Sequence, residues 1–428
     1  MSLTWKPFNL FYGWWIVAAS FLIALYVGGV VFYGFTAFFE PIANDMGWSY
    51  TQISLAASLR GLEIGLLSPF VGILADRWGP RRLVFGGVLI TVAGLLLLSA
   101  TKSLIMFYGA FALIAIGVSA CTVTVLLTAI ANWFQRKMGI ASGIAICGFG
   151  FSGLLIPVIV RLIAAYDWRT AVTILAWGMM IMVLPLSLFF RHRPEQYGYF
   201  PDGQKQGTVA YPDESGTRQV VEVEVKVKQA LKSGVFWRLA LSRMYHMMTV
   251  AAIITHVMPY LSSIGISRSQ SSLVATAIPL MSIFGRLGFG WLGDKFNRRL
   301  AGTTSFIMLG SGVLCFAYAS TMSIWLLVPF LVLMGIGYGG SNALLPLLGR
   351  AHFGRTNFGS IYGIMEGIGT IGGIIGPALA GWAYDNWGSY QIIWFLLAGL
   401  AVVAIIAVFT IAPVGSTVEL NDKLQTTR

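Results

Sequence analysis

The chain has 428 residues, of which 57% are hydrophobic and only 10% charged, and it carries a formal net charge of +12. A soluble domain carries roughly 25% charged residues, so an aqueous core alone cannot absorb this much apolar surface, and the composition demands a bilayer as a second apolar solvent. The positive charge does not mark a nucleic-acid binder: only Lys102, Arg169 and Arg268 fall in loops assigned to one side, Arg60, Arg161, Arg238, Arg243 and Arg286 fall within or at the ends of helices, and the other Lys and Arg gather on the opposite side, the positive-inside pattern that sets both termini in the cytoplasm.

In chain order the hydropathy predicts twelve helices. They run over 12–39, 50–75, 82–101, 104–133, 138–165 and 169–190, then 235–264, 269–293, 300–320, 323–350, 357–384 and 390–413. Stretches such as 83–100, 324–340 and 392–408 are free of charge and close to the roughly 20 residues a spanning helix needs. The first apolar run lacks a small-residue cleavage site and reads as a retained helix rather than a signal peptide. The expected organisation is a six-helix bundle over 1–190, a cytoplasmic linker over 191–233, a second six-helix bundle over 234–413 and a cytoplasmic tail over 414–428. Within the linker, 221–228 alternates apolar and charged residues as a short strand would, and "VKQALKSGVFW" fits an interfacial helix. The segment reads either as a solvated linker or as a regulatory or partner-binding element. Cys121, Cys147 and Cys315 fall in apolar runs and read as small buried hydrophobes, with no disulfide framework.

The chain repeats itself. "GILADRWGPRR" from Gly72 recurs as "GWLGDKFNRR" from Gly290, and "WFQRKMGIASGI" from Trp133 recurs as "HFGRTNFGSIYGI" from His352, each about 220 residues later. Pro157 and Pro377 match at a similar offset. The predicted fold is therefore an all-α membrane protein of twelve transmembrane helices in two six-helix halves. Such parallel halves place a substrate site near the midplane and alternate access by rocking.

A charge at mid-bilayer costs about 3 kcal/mol on insertion scales, so it faces a water-filled path or a partner. Arg286 lies eight residues before Asp294, about 12 Å inside at 1.5 Å per residue. Its planar fork suits a carboxylate and keeps its charge throughout a transport cycle; the alternative is a structural pair with an internal acid. Glu366 is the obvious acid, flanked by Gly363, Gly367, Gly369, Gly372 and Gly373, which permit close packing or bending. It reads as a proton carrier or as the standing partner of a cation. Arg60 and Glu63 share a helix face three residues apart and read as an intrahelical pair, or Glu63 takes a proton during coupling. His256, in the seventh helix, is a proton-handling or hydrogen-bonding residue. Arg161 lies near a helix end and snorkels; Arg238, Arg243 and His246 are expected at the interface. No His-Glu-x-x-His motif, nucleophile elbow or nucleotide-binding loop occurs, so neither an enzyme nor a metal, cofactor or ATP dependence is expected.

Gly72, Asp76, Arg77, Gly79, Arg81 and Arg82 resemble the loop between the second and third helices of the major facilitator superfamily, and Gly290, Asp294, Arg298 and Arg299 repeat it one residue shorter. That resemblance implies a gating role for the loop. A narrower resemblance, to the monocarboxylate porters and their bacterial relatives, rests on "FYGWWIV" at 11–17, "WFQRKMGIASGIAICG" at 133–148, "THVMPYL" at 255–261 and "GRLGFGWLGD" at 285–294. It implies that Arg286 binds the substrate carboxylate and that His256 lies near it. In the resembled fold helices 1, 4, 7 and 10 line the cavity, which makes Tyr33, Thr122, Thr124, Tyr338 and Asn342 candidate lining groups. Ser282 stands where mammalian members carry an Asp, Tyr33 where they carry a Lys, and Glu366 is the charge of a helix in which oxalate–formate exchangers carry a Lys. A dicarboxylate site with two cations is therefore not expected. The expected function is a monomeric secondary transporter in the inner membrane that moves a small organic anion, a monocarboxylate, with a proton. Glu366 or Glu63 would carry the proton. The alternatives are a drug–proton antiporter, which the absence of a Gly-Pro pair in "GFGFSGLLIP" disfavours, and a transporter-like sensor.

Overall fold

The computed structural model describes residues 11–121, 123–134, 138–191, 194, 225–353 and 358–411. Sixteen α-helices occur among them: α1 (Gly13–Val27), α2 (Phe35–Met46), α3 (Tyr50–Trp78), α4 (Pro80–Ser99), α5 (Leu104–Ser119), α6 (Val123–Trp133), α7 (Met138–Phe151), α8 (Leu155–Ala165), α9 (Trp168–Ser187), α10 (Val227–Lys232), α11 (Gly234–Ser263), α12 (Arg268–Lys295), α13 (Arg298–Tyr318), α14 (Leu327–Phe353), α15 (Phe358–Trp387) and α16 (Gln391–Phe409). No strand occurs among the described residues. Nine described helical stretches are long and apolar enough to cross a bilayer. The spans expected over 50–75, 104–133 and 235–264 appear as α3, as α5 followed by α6, and as α11.

Three predicted spans are broken where their sequence weakens the helix. The first passes from α1 through a π-helical stretch, Gly28–Tyr33, into α2; its two leading glycines ease the widening, and π-segments often mark functional positions. The fourth breaks between α5 and α6. The fifth tightens to a 3₁₀ turn at Ser152–Leu154, between α7 and α8, within the glycine-rich "GFGFSG". Residues 227 and 228, expected at the end of a strand, instead open α10. The Gln229 side chain accepts from the Lys226 backbone N–H there, and Trp237 Nε1 donates to the Leu231 carbonyl, tying α10 to α11. Residues 225 and 226 form no strand, and 221–224 lie outside the described residues.

By packing, the chain divides into two compact units: 1–32 with 67–152 and 169–216, and 33–66 with 153–168 and 217–428. In the first, small residues let α4 and α5 touch backbone to backbone. A Cβ on Gly87 would meet the Gly117 carbonyl at 2.6 Å, and Gly117 faces Thr91 in return, the small-residue packing of membrane helices. The "FYGWW" and "WF" motifs meet as an aromatic clasp. Phe11 lies 5.8 Å from Trp133 and 5.5 Å from Phe134, Tyr12 lies 5.2 Å from Trp133, and Trp14 lies 5.1 Å from Phe134. Gly13 cannot be larger, because a Cβ would stand 2.6 Å from Phe11 and 2.8 Å from Phe134. Trp133 Nε1 donates to the Arg191 carbonyl, whose guanidinium lies 3.9 Å from the Tyr12 ring centre.

In the second unit α11 packs along α15, and α12 and α13 pack along α14, with α2 against α11 and α8 against α12. Glycines set these approaches. A Cβ on Gly339 of α14 would strike the Ser282 carbonyl and the Arg286 backbone N, one on Gly285 of α12 would strike the Ile336 carbonyl, and ones on Gly372 and Gly376 of α15 would strike the Met244 and Met248 carbonyls of α11. Overpacking of this kind costs about 1–3 kcal/mol or forces the helices apart. The glycines of "GIMEGIGTIGGIIG" are therefore not equivalent: Gly369, Gly372 and Gly376 face α11, whereas Gly363 and Gly367 meet open space.

Candidate functional site

Two polar clusters lie along α11 in the second unit. The first is built on α14, where Tyr338, Ser341 and Asn342 share one face at the i, i+3, i+4 spacing. The Tyr338 hydroxyl lies 3.0 Å from that of Tyr33, at the end of the π-helical stretch. The Arg286 guanidinium lies 5.7 Å from the Tyr338 ring centre and acts on the Tyr33 hydroxyl both as a charge and as a hydrogen-bond partner. A guanidinium only donates, so the Tyr33 oxygen accepts from it. Gly339 holds the α12 backbone against α14 at this point, which is why Arg286 meets Tyr338.

On the other side of Tyr338 lies His246 of α11, ring centres 5.6 Å apart. Its Nδ1 is 2.7 Å from Ser341 Oγ, and that hydroxyl is itself 2.8 Å from the Gly337 carbonyl. The hydroxyl proton goes to the carbonyl, so the serine oxygen accepts and Nδ1 carries the imidazole proton. Three residues earlier, Arg243 donates to Asn342 Oδ1 at 3.1 Å and to Glu366 Oε2 at 2.8 Å. Tyr362 also hydrogen-bonds Glu366. The charges of both Arg243 and Arg286 fall on His246. Arg243 is 5% exposed and His246 1%, while Arg286 and Glu366 are half-buried. The Nε of Arg243 and the Oε1 of Glu366 are buried without a hydrogen-bond partner.

The structure thus brings Arg286, Tyr33, Tyr338, Asn342 and Glu366 together and adds Arg243, His246, Ser341 and Tyr362. The interfacial placement expected for Arg243 and His246 is corrected. α11 begins at Gly234, capped by the Ser233 hydroxyl, so Arg243 is nine residues in, about 14 Å along the axis. The depth count that singles out Arg286 would have found it. Arg238, one turn nearer the helix start, is exposed and donates to the Thr410 carbonyl at 2.7 Å.

His256 belongs to the second cluster, ten residues and about 15 Å farther along α11. It is fully buried. Its Nε2 lies 3.0 Å from both the Pro377 carbonyl and Ser54 Oγ, and its Nδ1 lies 3.0 Å from the Tyr390 hydroxyl. Because a carbonyl only accepts, Nε2 carries the proton and Nδ1 accepts from Tyr390. Tyr390 stacks between Tyr384 and Trp394. Asp385, from α15, accepts from the Tyr50 and Thr51 backbone N–H groups at 2.9 and 2.7 Å, satisfying orphan donors at the start of α3 and matching its dipole. Arg268 pairs with Glu40 at 3.3 Å.

The gate motif is described in part. Gly79 adopts φ +80° between α3 and α4, a left-handed conformation that favours glycine, and Pro80 opens α4 at the position where its missing N–H costs nothing. Arg81 and Arg82 are exposed. The shorter second copy turns without a glycine: Phe296 is extended, and the Asn297 side chain accepts from the Arg299 N–H. There Arg298 donates to the Gly293 carbonyl and Arg299 to that of Ile411, at 3.0 and 3.3 Å. Gly290 meets open space. Thr122 lies outside the described residues; so do the side chains of Arg60, Glu63, Asp76, Arg77, Thr124 and Asp294 and the surroundings of Gly72. No group of three potential metal ligands occurs among the described residues.

The sequence profile of the Major Facilitator Superfamily matches residues 16–264 and 246–425. The chain belongs to this superfamily of transporters. It is 24% identical to monocarboxylate transporter 12 of Mus musculus over 92% of this chain and 83% of that one, and 26% identical to monocarboxylate transporter 13 of Bos taurus over 91% and 88%. A bacterial homologue of the human lysosomal transporter Spinster, solved inward-facing and unoccupied, superposes with a TM-score of 0.69 at 16% identity, covering 93% of this chain and 94% of that one. This transporter is thus an all-α, multi-pass membrane protein for a small-molecule substrate, not an enzyme.

Proposed function

We propose that this protein is a secondary active transporter that moves a small organic anion, a monocarboxylate, together with a proton, by alternating access of its two six-helix halves, 1–190 and 234–413, across the cell membrane with both termini in the cytoplasm. The observation that carries the reading is Arg286. It is a permanent charge deep in a spanning helix, set beside the aromatic face of Tyr338 and the hydroxyl of Tyr33, so that a carboxylate is offered a planar fork with hydroxyl donors next to it. The names of the relatives, monocarboxylate transporters 12 and 13, support the same substrate class. Tyr338 and Asn342 line the site, and Glu366, ionised while the anion is selected, takes the proton afterwards as it alternates with Arg243. Uptake of lactate, pyruvate and larger carboxylates into proteoliposomes, with and without an inward proton gradient, tests the reading. Saturable uptake that the gradient accelerates is expected, and the absence of carboxylate uptake under any gradient refutes it. Glu366→Gln is expected to lose proton-driven accumulation but keep exchange.

A further inference from the structure

The cluster contains two guanidiniums, Arg243 buried and Arg286 half-buried, and an internal acid occupies the first. Arg243 and Arg286 flank the His246–Tyr338 pair, with His246 5.6 Å and Arg286 5.7 Å from the Tyr338 ring, and both charges act on His246. Arg243 is held by Glu366 through one bond of 2.8 Å, leaving Arg243 Nε and Glu366 Oε1 without partners although both atoms are buried. A two-pronged carboxylate match would have used both. The pair is therefore an incomplete clamp, with one more carboxylate-binding edge on Arg243 than Glu366 fills.

We propose that Glu366 is the specificity-determining residue of the anion site: its carboxylate stands in for the second carboxylate of a dianion, so that the ionised residue restricts the site to monocarboxylates and its neutralisation opens Arg243 to dicarboxylates. The inference rests on Arg286 as the first anion position. With Glu366 ionised, Arg243 and Glu366 cancel and Arg286 offers one positive charge to one carboxylate. With Glu366 neutral, two guanidiniums face the site, and an unpaired one buried there is a strong demand for a second anion. The groups that act on Glu366 are Arg243 from α11 and Tyr362 from its own helix, with Asn342 of α14 holding the far side of Arg243.

The test compares succinate with butyrate, matched in length, as ligands of the purified full-length protein. Wild type is expected to prefer butyrate. Glu366→Gln is expected to raise the succinate-to-butyrate affinity ratio by about 10- to 100-fold, the range of a buried charge pair. The double variant R243Q/E366Q is expected to return the ratio to that of wild type, which separates an effect through Arg243 from a general change of field. An unchanged ratio in Glu366→Gln, or a raised ratio that persists in the double variant, overturns the proposal. Should Glu366→Gln not fold, wild type supplies the same reading with ethane-1,2-disulfonate and ethanesulfonate, which stay ionised. With Glu366 paired to Arg243, wild type is expected to prefer ethanesulfonate, and a preference for the disulfonate overturns the idea. If wild type binds neither butyrate nor ethanesulfonate, Arg286 is not an anion site and the reading beneath the proposal fails first.

Discussion

Two histidines ten residues apart on α11 occupy opposite kinds of surroundings. His256 sits among neutral groups that satisfy both ring nitrogens, at an end of the helix where Asp385 also completes the start of α3. His246 sits between two guanidiniums and beside a partly buried ion pair with bonding capacity left over. Buried polar groups whose bonds are all made hold one arrangement in place, and a cluster left partly unsatisfied is stable only when something completes it. We therefore propose conformational holding for the His256 end and ligand binding for the His246 end.

The largest expected effect that sharpens this contrast is at Arg286. Arg286→Lys keeps the charge but loses the fork, and carboxylate affinity is expected to fall about 100-fold or more, measured by ligand titration, with the melting temperature little changed. Retained affinity would make Arg286 structural. Next, Glu366→Ala leaves Arg243 buried and unpaired and is expected to cost about 3 kcal/mol of stability. Added carboxylate should recover much of that loss in a thermal melt. At the other end, His256→Ala orphans the Pro377 carbonyl and the Tyr390 hydroxyl and is expected to cost about 1–3 kcal/mol while leaving substrate affinity within about threefold. A large loss of affinity with intact stability would move His256 into the binding site and break the comparison. Asp385→Asn weakens the helix cap and is expected to cost about 1 kcal/mol, again without a change in affinity. The smallest effect belongs to Gly363→Ala, which meets open space and should stabilise by about 0.5 kcal/mol, read as a small rise in the melting temperature.

Three membrane helices of the second half are legible to within three residues: 235–264, 269–293 and 357–384 are expected, and Gly234–Ser263, Arg268–Lys295 and Phe358–Trp387 are observed. Arg286 was legible because a single charge in an apolar run stands out. Arg243 was not, although it lies at similar depth, because Arg238 and His246 beside it make that end of the helix look like a polar boundary. The aromatic motif "FYGWW" was legible only as a resemblance; its physical role, closing against Trp133 and Phe134, needs two segments about 120 residues apart to meet.

Hydropathy, charge bias and repeat are properties of consecutive residues measured against a bilayer about 30 Å thick, and so the sequence by itself determined the all-helical membrane fold and singled out Arg286 and Glu366 as charges within apolar helices. Which charges meet depends on how each helix is rotated about its axis and how closely it approaches its neighbour. Those quantities are set by backbone contacts at Gly339, Gly372 and Gly376 with other helices. Only the tertiary structure could therefore decide that Glu366 pairs with Arg243 at 2.8 Å and that a second guanidinium belongs to the site.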